Sequence, residues 1–75
     1  MSNRNRQRDM ILAHLREYGS ITQHEAQNEY GIARLASRVN DLRKAGVPIR
    51  THTETGRNRY GEPIHYARYT LGGGV

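Results

Sequence analysis

Arginine dominates the chemically capable side chains of this sequence. Eleven of its twelve basic residues are arginine, the exception being Lys44, and against seven acidic residues they leave a formal net charge of +5 over 75 residues. A guanidinium offers a planar, bidentate donor fork, so the surplus points to phosphate as the partner and not to solubility alone. Arg34, Arg38 and Arg43 fall in one segment, Arg57 and Arg59 flank Asn58 in another, and Arg50 and Arg68 lie on either side of that second group. Other chemistries are poorly provided for. His14, His24, His52 and His65 show no His-x3-His or Glu-containing metal spacing and have no cysteine to complete a zinc set, so no metal and no other cofactor is expected. Ser20 and Ser37 sit in no nucleophile elbow, and no two carboxylates converge on one expected cleft, which argues against hydrolysis and against an enzyme in general.

The length bounds what can position these groups. A chain of this size buries only about 60% of the surface its unfolded form exposes, which allows one domain with one thin core and no cofactor cleft of several hundred Å³. Without cysteine, packing alone must hold that core, in keeping with a reducing compartment. The longest apolar run, Met10-Ile11-Leu12-Ala13, cannot span a membrane, and Met1-Ser2-Asn3-Arg4-Asn5-Arg6 has no signal-peptide apolar region. A cytoplasmic protein with no membrane partner is expected.

Helical periodicity organises the first half. Ile11, Leu15 and Tyr18 form an i, i+4, i+7 stripe with Leu12 beside it, predicting a helix over 6–18 that Gly19 stops. Thr22 and Glu25 make a capping box, with Ile21 and Ala26 as its hydrophobic staple, so a second, two-turn helix covers about 23–30 and ends at Gly31. A third covers about 33–45, with Leu35, Val39 and Leu42 on its apolar stripe and Gly46 as its stop. Ala33, Ser37, Asn40, Asp41 and Lys44 point away from that stripe, and Arg34, Arg38 and Arg43 lie on its flanks.

Beyond Gly46 the period becomes alternating, through Thr51, Thr53 and Thr55 and through the run from Ile64 to Leu71, which reads as two strands and a loop. Pairing Val47 with Leu71, Ile49 with Tyr69 and Thr51 with Ala67 collects the apolar residues on one face. This register sets Arg50 opposite Arg68 and His52 opposite Tyr66, two like charges that an anion would have to separate, and it brings the tip near Arg59. The loop 56–63, with Tyr60 as its one apolar anchor, should be mobile without a partner. Residues 1–5 are expected to be a disordered basic N-terminus and 72–75 a glycine-rich tail, leaving one domain over 6–71.

The expected architecture is thus α+β, a three-helix core followed by a two-stranded β-hairpin. With its glycine-bounded turn between the second and third helices, and a basic loop in the hairpin, the chain from Ile11 to Leu71 resembles a winged helix-turn-helix domain. It is most similar to the small stand-alone versions of phages and prophages, through Arg34-Leu35-Ala36-Ser37-Arg38-Val39-Asn40-Asp41-Leu42-Arg43-Lys44, Gly46-Val47-Pro48-Ile49-Arg50 and Ala67-Arg68-Tyr69-Thr70-Leu71. The resemblance implies binding to double-stranded DNA, the third helix in the major groove and the wing on the adjacent minor groove or backbone.

On that fold the outward residues near the start of the third helix acquire roles. Arg34 or Arg38 could bond guanine bidentately, Asn40 could pair with adenine, Ser37 could reach a base or phosphate, and Asp41 could accept from cytosine. Ala33 and Lys44 complete this face. The plain alternative is a solvated surface with an Arg38–Asp41 pair at i, i+3. On the hairpin, Arg57, Asn58 and Arg59 suit a narrow minor groove, with Arg50 and Arg68 as further contacts. Thr22 and Gln23 could hold a phosphate at the start of the second helix, although Thr22 is also needed as a cap. Of the five tyrosines, Tyr18 and Tyr69 fall on core stripes and Tyr30 ends a helix, so only Tyr60 and Tyr66 are open for base stacking. A transcriptional regulator or an excisionase-like architectural factor fits this surface, acting through cooperative neighbours or a weak homodimer, in the cytosol or nucleoid of a host cell if phage-encoded. The rival is a winged-helix module that docks on and inhibits a host protein such as RNA polymerase or a nuclease. Double-stranded RNA is a poor fit, because its deep major groove excludes a helix.

Overall fold

A computed structural model of the chain describes residues 3–72, with side chains from Arg6 onward; Met1, Ser2 and the tail 73–75 lie outside the described residues. The elements run α1 (Asn3–Tyr18), β1 (Ser20–Thr22), α2 (Gln23–Tyr30), α3 (Leu35–Lys44), β2 (Ile49–Arg57) and β3 (Pro63–Leu71). α1 starts three residues ahead of the expected Arg6, so part of the segment 1–5 assigned to disorder is helical.

The three helices close on a core of Ile11, Leu15, Ile21, Ala26, Ile32, Leu35, Val39, Leu42 and Ile49. Each fully buried Ile, Leu or Val there removes enough apolar surface from water to contribute about 1.5–3 kcal/mol. Local chemistry starts and stops the helices. Thr22 caps α2 as expected: its Oγ1 accepts from the Glu25 N–H at 3.2 Å, and the Glu25 carboxylate accepts from the Thr22 N–H at 2.9 Å. Ile21 and Ala26, the staple pair, are both fully buried. Gly31 ends α2 in the left-handed conformation, φ 67°, which costs glycine nothing. Tyr18, placed by its spacing on the core stripe, is instead 66% exposed. α1 ends there, and the chain turns away at Gly19 before anything can cover that ring.

The hairpin is part of a three-stranded antiparallel sheet of order β1-β3-β2, not a two-stranded ribbon. β1 pairs Ile21 with Tyr69 and Thr22 with Arg68. Three residues are too few to display alternation, and their partners lie almost fifty positions downstream, so the sequence shows this strand only as the lead-in to a helix cap.

The β2–β3 register differs from the expected one by two residues: Ile49 faces Leu71, Thr51 faces Tyr69, Arg50 faces Thr70 and His52 faces Arg68. The reason lies at the end of α3. Val47 donates its N–H to the Leu42 carbonyl at 3.0 Å and so belongs to the helix terminus, and Pro48 has no N–H for a ladder. Ile49 is the first residue able to pair, and it takes the place opposite Leu71. A shift of two keeps every side chain on its expected face while changing its neighbours. Arg50 and Arg68 are therefore not opposed, and the anion site their opposition would have needed is not formed. β2 beyond Ile49 and β3 before Ala67 are mostly exposed, so this half of the hairpin projects from the body as a wing.

Candidate nucleic-acid interface

α3 begins at Leu35, not at Ala33, so Ala33 lies in the turn from α2 and Arg34 is the N-cap residue. The Arg34 side chain makes no capping bond. Gln23 takes over that task from α2: its Oε1 accepts from the Leu35 N–H at 3.1 Å, and its Nε2 donates to the Ile32 carbonyl at 2.8 Å. One amide thus spans the α2–α3 turn and satisfies a backbone donor that would otherwise be orphaned at the start of α3. This moves Gln23 from phosphate contact to architecture. Thr22 moves likewise, since it is buried and committed to the cap.

With the first turn of α3 held from behind, α3 and the turn before it present Ala33, Arg34, Ser37, Asn40 and Lys44, all exposed. None of Arg34, Ser37, Asn40 or Lys44 makes a side-chain hydrogen bond or ion pair among the described residues. Arg38 and Asp41 are half-buried and pair at 3.5 Å across one helical turn. That distance is longer than a well-formed charge-assisted hydrogen bond, which leaves Arg38 a partner without a rigid lock. Arg43, on the flank, is committed to the fold: it donates to the Ile49 carbonyl at 3.0 Å and to Thr51 Oγ1 at 2.6 Å, with its guanidinium 6.0 Å from the centre of the Tyr69 ring.

The wing uses several of its polar groups internally. Asn58 Oδ1 accepts from the N–H groups of Tyr60 and Glu62 at 2.9 and 3.0 Å, and Asn58 Nδ2 donates to the Glu62 carboxylate at 3.1 Å. Backbone bonds from Asn58 N–H to the Glu62 carbonyl and from Gly61 N–H to the Asn58 carbonyl close the loop, with Gly61 at φ 78°. Arg57 donates to the Gly61 carbonyl at 2.7 Å. The loop expected to be mobile is therefore internally bonded, and Asn58, expected on DNA, is its organiser. Arg59 and Tyr60 remain outward at the tip, Tyr60 being 80% exposed.

Arg68 departs furthest from its expected role. It donates through Nε to the Glu54 carboxylate at 2.8 Å and through Nη1 to Ser20 Oγ at 2.9 Å, and Nη1 lies 3.9 Å from the Glu25 carboxylate. The hydrogen bond from Arg68 holds the Glu54 carboxyl below its ordinary pKa, and the same bond raises that of Arg68. This guanidinium joins β1, β2 and β3 and is not a free phosphate donor. Arg50 stays exposed, its stem crossing Gly72 so closely that a Cβ there would lie 2.6 Å from it.

The expected residues thus separate into an outward set, Ala33, Arg34, Ser37, Asn40, Lys44, Arg50 and Arg59, and an internally engaged set, Thr22, Gln23, Arg38, Asp41, Arg57, Asn58 and Arg68. The exclusion of any cleft of several hundred Å³ fails at the surface. Thr22, Gln23, His24, Ile64, Tyr66 and Arg68 border an open recess of about 420 Å³, formed between α2 and β3 and not within the core. No group of three or more metal-ligating side chains occurs among the described residues, and none of their helices is long and apolar enough to cross a membrane. A family model described as a winged helix-turn-helix domain matches residues 6–74. No curated protein and no solved structure matches the chain.

Proposed function

Because the chain belongs to the winged helix-turn-helix domain family, whose fold supports DNA as a partner, we propose that it binds double-stranded DNA sequence-specifically. α3 enters the major groove, and the wing follows the backbone or adjacent minor groove. The observation that carries this reading is the outward face of Arg34, Ser37, Asn40 and Lys44, which have side-chain donors and no partner within the described fold. Arg34, at the N-terminal end of the helix where base contacts concentrate, reads guanine; Asn40, nearly two turns on, reads adenine; Ser37 holds a phosphate or base between them. At the wing tip Arg59 supplies charge to a narrow groove without reading sequence. The role is regulatory or architectural, either transcription control or bending of DNA for recombination, and non-enzymatic, within the cytoplasm of the cell that carries it.

A salt titration on random duplex tests the charge part. If Lys44, Arg50 and Arg59 each neutralise about one phosphate, log K falls against log salt with a slope of about −2.7. Selection of bound sequences from a random library then tests base reading. A flat salt response would overturn the proposal in favour of a protein-docking module, and a recovered pool without sequence preference would reduce it to backbone binding.

A further inference from the structure

On a part of the surface to which neither α3 nor the wing loop contributes, His14, Tyr18, Ser20, Glu25, Glu29 and Tyr30 line an open recess of about 370 Å³. Three rings furnish it. His14 and Tyr18 lie with centroids 4.6 Å apart at 45°, and Tyr30 meets His14 edge-on at 5.5 Å. His14 is only 6% exposed, with Nδ1 2.7 Å from Tyr30 Oη, and its other ring nitrogen has no hydrogen bond among the described residues. Tyr18, the exposed aromatic that the core leaves over, offers the recess an uncovered face.

The charge at the recess has the opposite sign to that of the chain. Glu25 is engaged by the α2 cap and lies near Arg68, but Glu29 makes no ion pair among the described residues, in a sequence with eleven arginines. Arg6 lines an adjoining recess that shares Glu29 and Tyr30 and still forms no ion pair with Glu29. Burial first, then the charge of Glu29 and the nearby Tyr18, Glu17 and Glu25, raises the Tyr30 pKa, so the phenol stays protonated in a negative field. DNA phosphate would be repelled here.

We propose that this recess is a binding site for an arginine side chain presented by a different polypeptide, since two copies of a chain of net charge +5 repel each other. A guanidinium stacks on the exposed Tyr18 ring while its fork donates to the Glu29 carboxylate, uniting cation–π and charge-assisted contacts that a compact, strongly hydrated ammonium satisfies less well. The inference does not depend on DNA binding, since it uses none of the residues assigned to that surface.

The test is an NMR titration of the whole chain with the peptide acetyl-Gly-Arg-Gly-amide and with its citrulline counterpart, which keeps the shape and loses the charge. Saturable shifts of the His14, Tyr18 and Tyr30 ring signals are expected with the arginine peptide, and binding about fivefold weaker or more with citrulline. Glu29→Gln, a surface change, should weaken the arginine peptide by about fivefold and leave duplex DNA affinity within about twofold. Tyr18→Leu, a second variant outside the core, should weaken it too. Concentrating the protein alone should leave these signals in place; their movement with a rising apparent mass would mean that a second copy of this chain supplies the arginine and would overturn the proposal. Equal responses to the two peptides, no response to the arginine peptide, or undiminished peptide binding by Glu29→Gln would also overturn it.

Discussion

In α3 and the turn before it, Arg34, Ser37, Asn40 and Lys44 extend from the surface with no internal partner, whereas in the wing Arg57, Asn58 and Arg68 are bound by the wing's own carbonyls and carboxylates. The two regions have similar polar composition, and geometry separates their uses. On the exposed face of a helix the nearest side chains are those three or four positions away. Around Arg34 none of these is acidic, and the one carboxylate of α3, Asp41, sits at the correct spacing from Arg38. In a sheet each side chain meets cross-strand and diagonal neighbours from elsewhere in the sequence. The pairing of Glu54 with Tyr66 and of His52 with Arg68 sets Glu54 diagonal to Arg68, and β1 adds Ser20 on the other side. The lesson is that the reach of an arginine toward a ligand depends on which neighbours its element supplies, not on how many arginines the chain contains.

Mutations can break this contrast. The largest effect on stability is expected at Gln23, which supports the helix side. Gln23→Ala removes the bonds to Ile32 and Leu35, and Arg34 does not cap in its stead, so urea unfolding should show a loss of about 2 kcal/mol. Undiminished stability would mean that α3 starts without this tie.

Next comes the contrast itself. Arg34→Ala should lower affinity for a selected site by about tenfold and relax preference at one or two base pairs, with thermal stability unchanged. Arg68→Ala should do the reverse, lowering the melting temperature while leaving base preference and the salt slope nearly as they were. If both variants lost specificity alike, the division into outward and engaged arginines would collapse.

Within the wing, Arg59→Ala should weaken binding to all sequences by a similar, few-fold factor and make the salt slope shallower by about 1. Arg57→Ala, which loosens the loop, should have a smaller effect on that slope, because its guanidinium is already on the Gly61 carbonyl.

The smallest effect is one of pH. The folded Glu54 carboxyl titrates below its ordinary value of 4.5 because Arg68 donates to it. Its contribution is therefore present above the unfolded value and is lost as the pH falls through the lower folded one. Unfolding followed from pH 6 downward should show a shallow acid loss that Glu54→Gln reduces, and identical profiles for the two proteins would remove this pair from the wing's support.

Most helical features were legible because they are local. The capping box of Thr22 and Glu25, the stops at Gly19, Gly31 and Gly46, and the stripe of Leu35, Val39 and Leu42 depend on residues within a turn or two of one another, where spacing alone decides who meets whom. The faces of β2 and β3 were legible for the same reason, since alternation has a period of two. The outward residues of α3 followed directly from that stripe.

Gln23, Arg68 and Tyr18 mark where this reading ended. That Gln23 bridges to Leu35 depends on the angle at which α2 meets α3, and that Arg68 is taken up by Glu54 and Ser20 depends on a register and a third strand joining segments far apart in the chain. Composition and periodicity by themselves determined an arginine-bearing helical face over a thin core with a basic hairpin beyond it. Only tertiary structure decided which arginines remain available and how an acidic, aromatic recess assembles from α1, β1 and α2, because the partners of a polar side chain come from whatever the fold packs beside it.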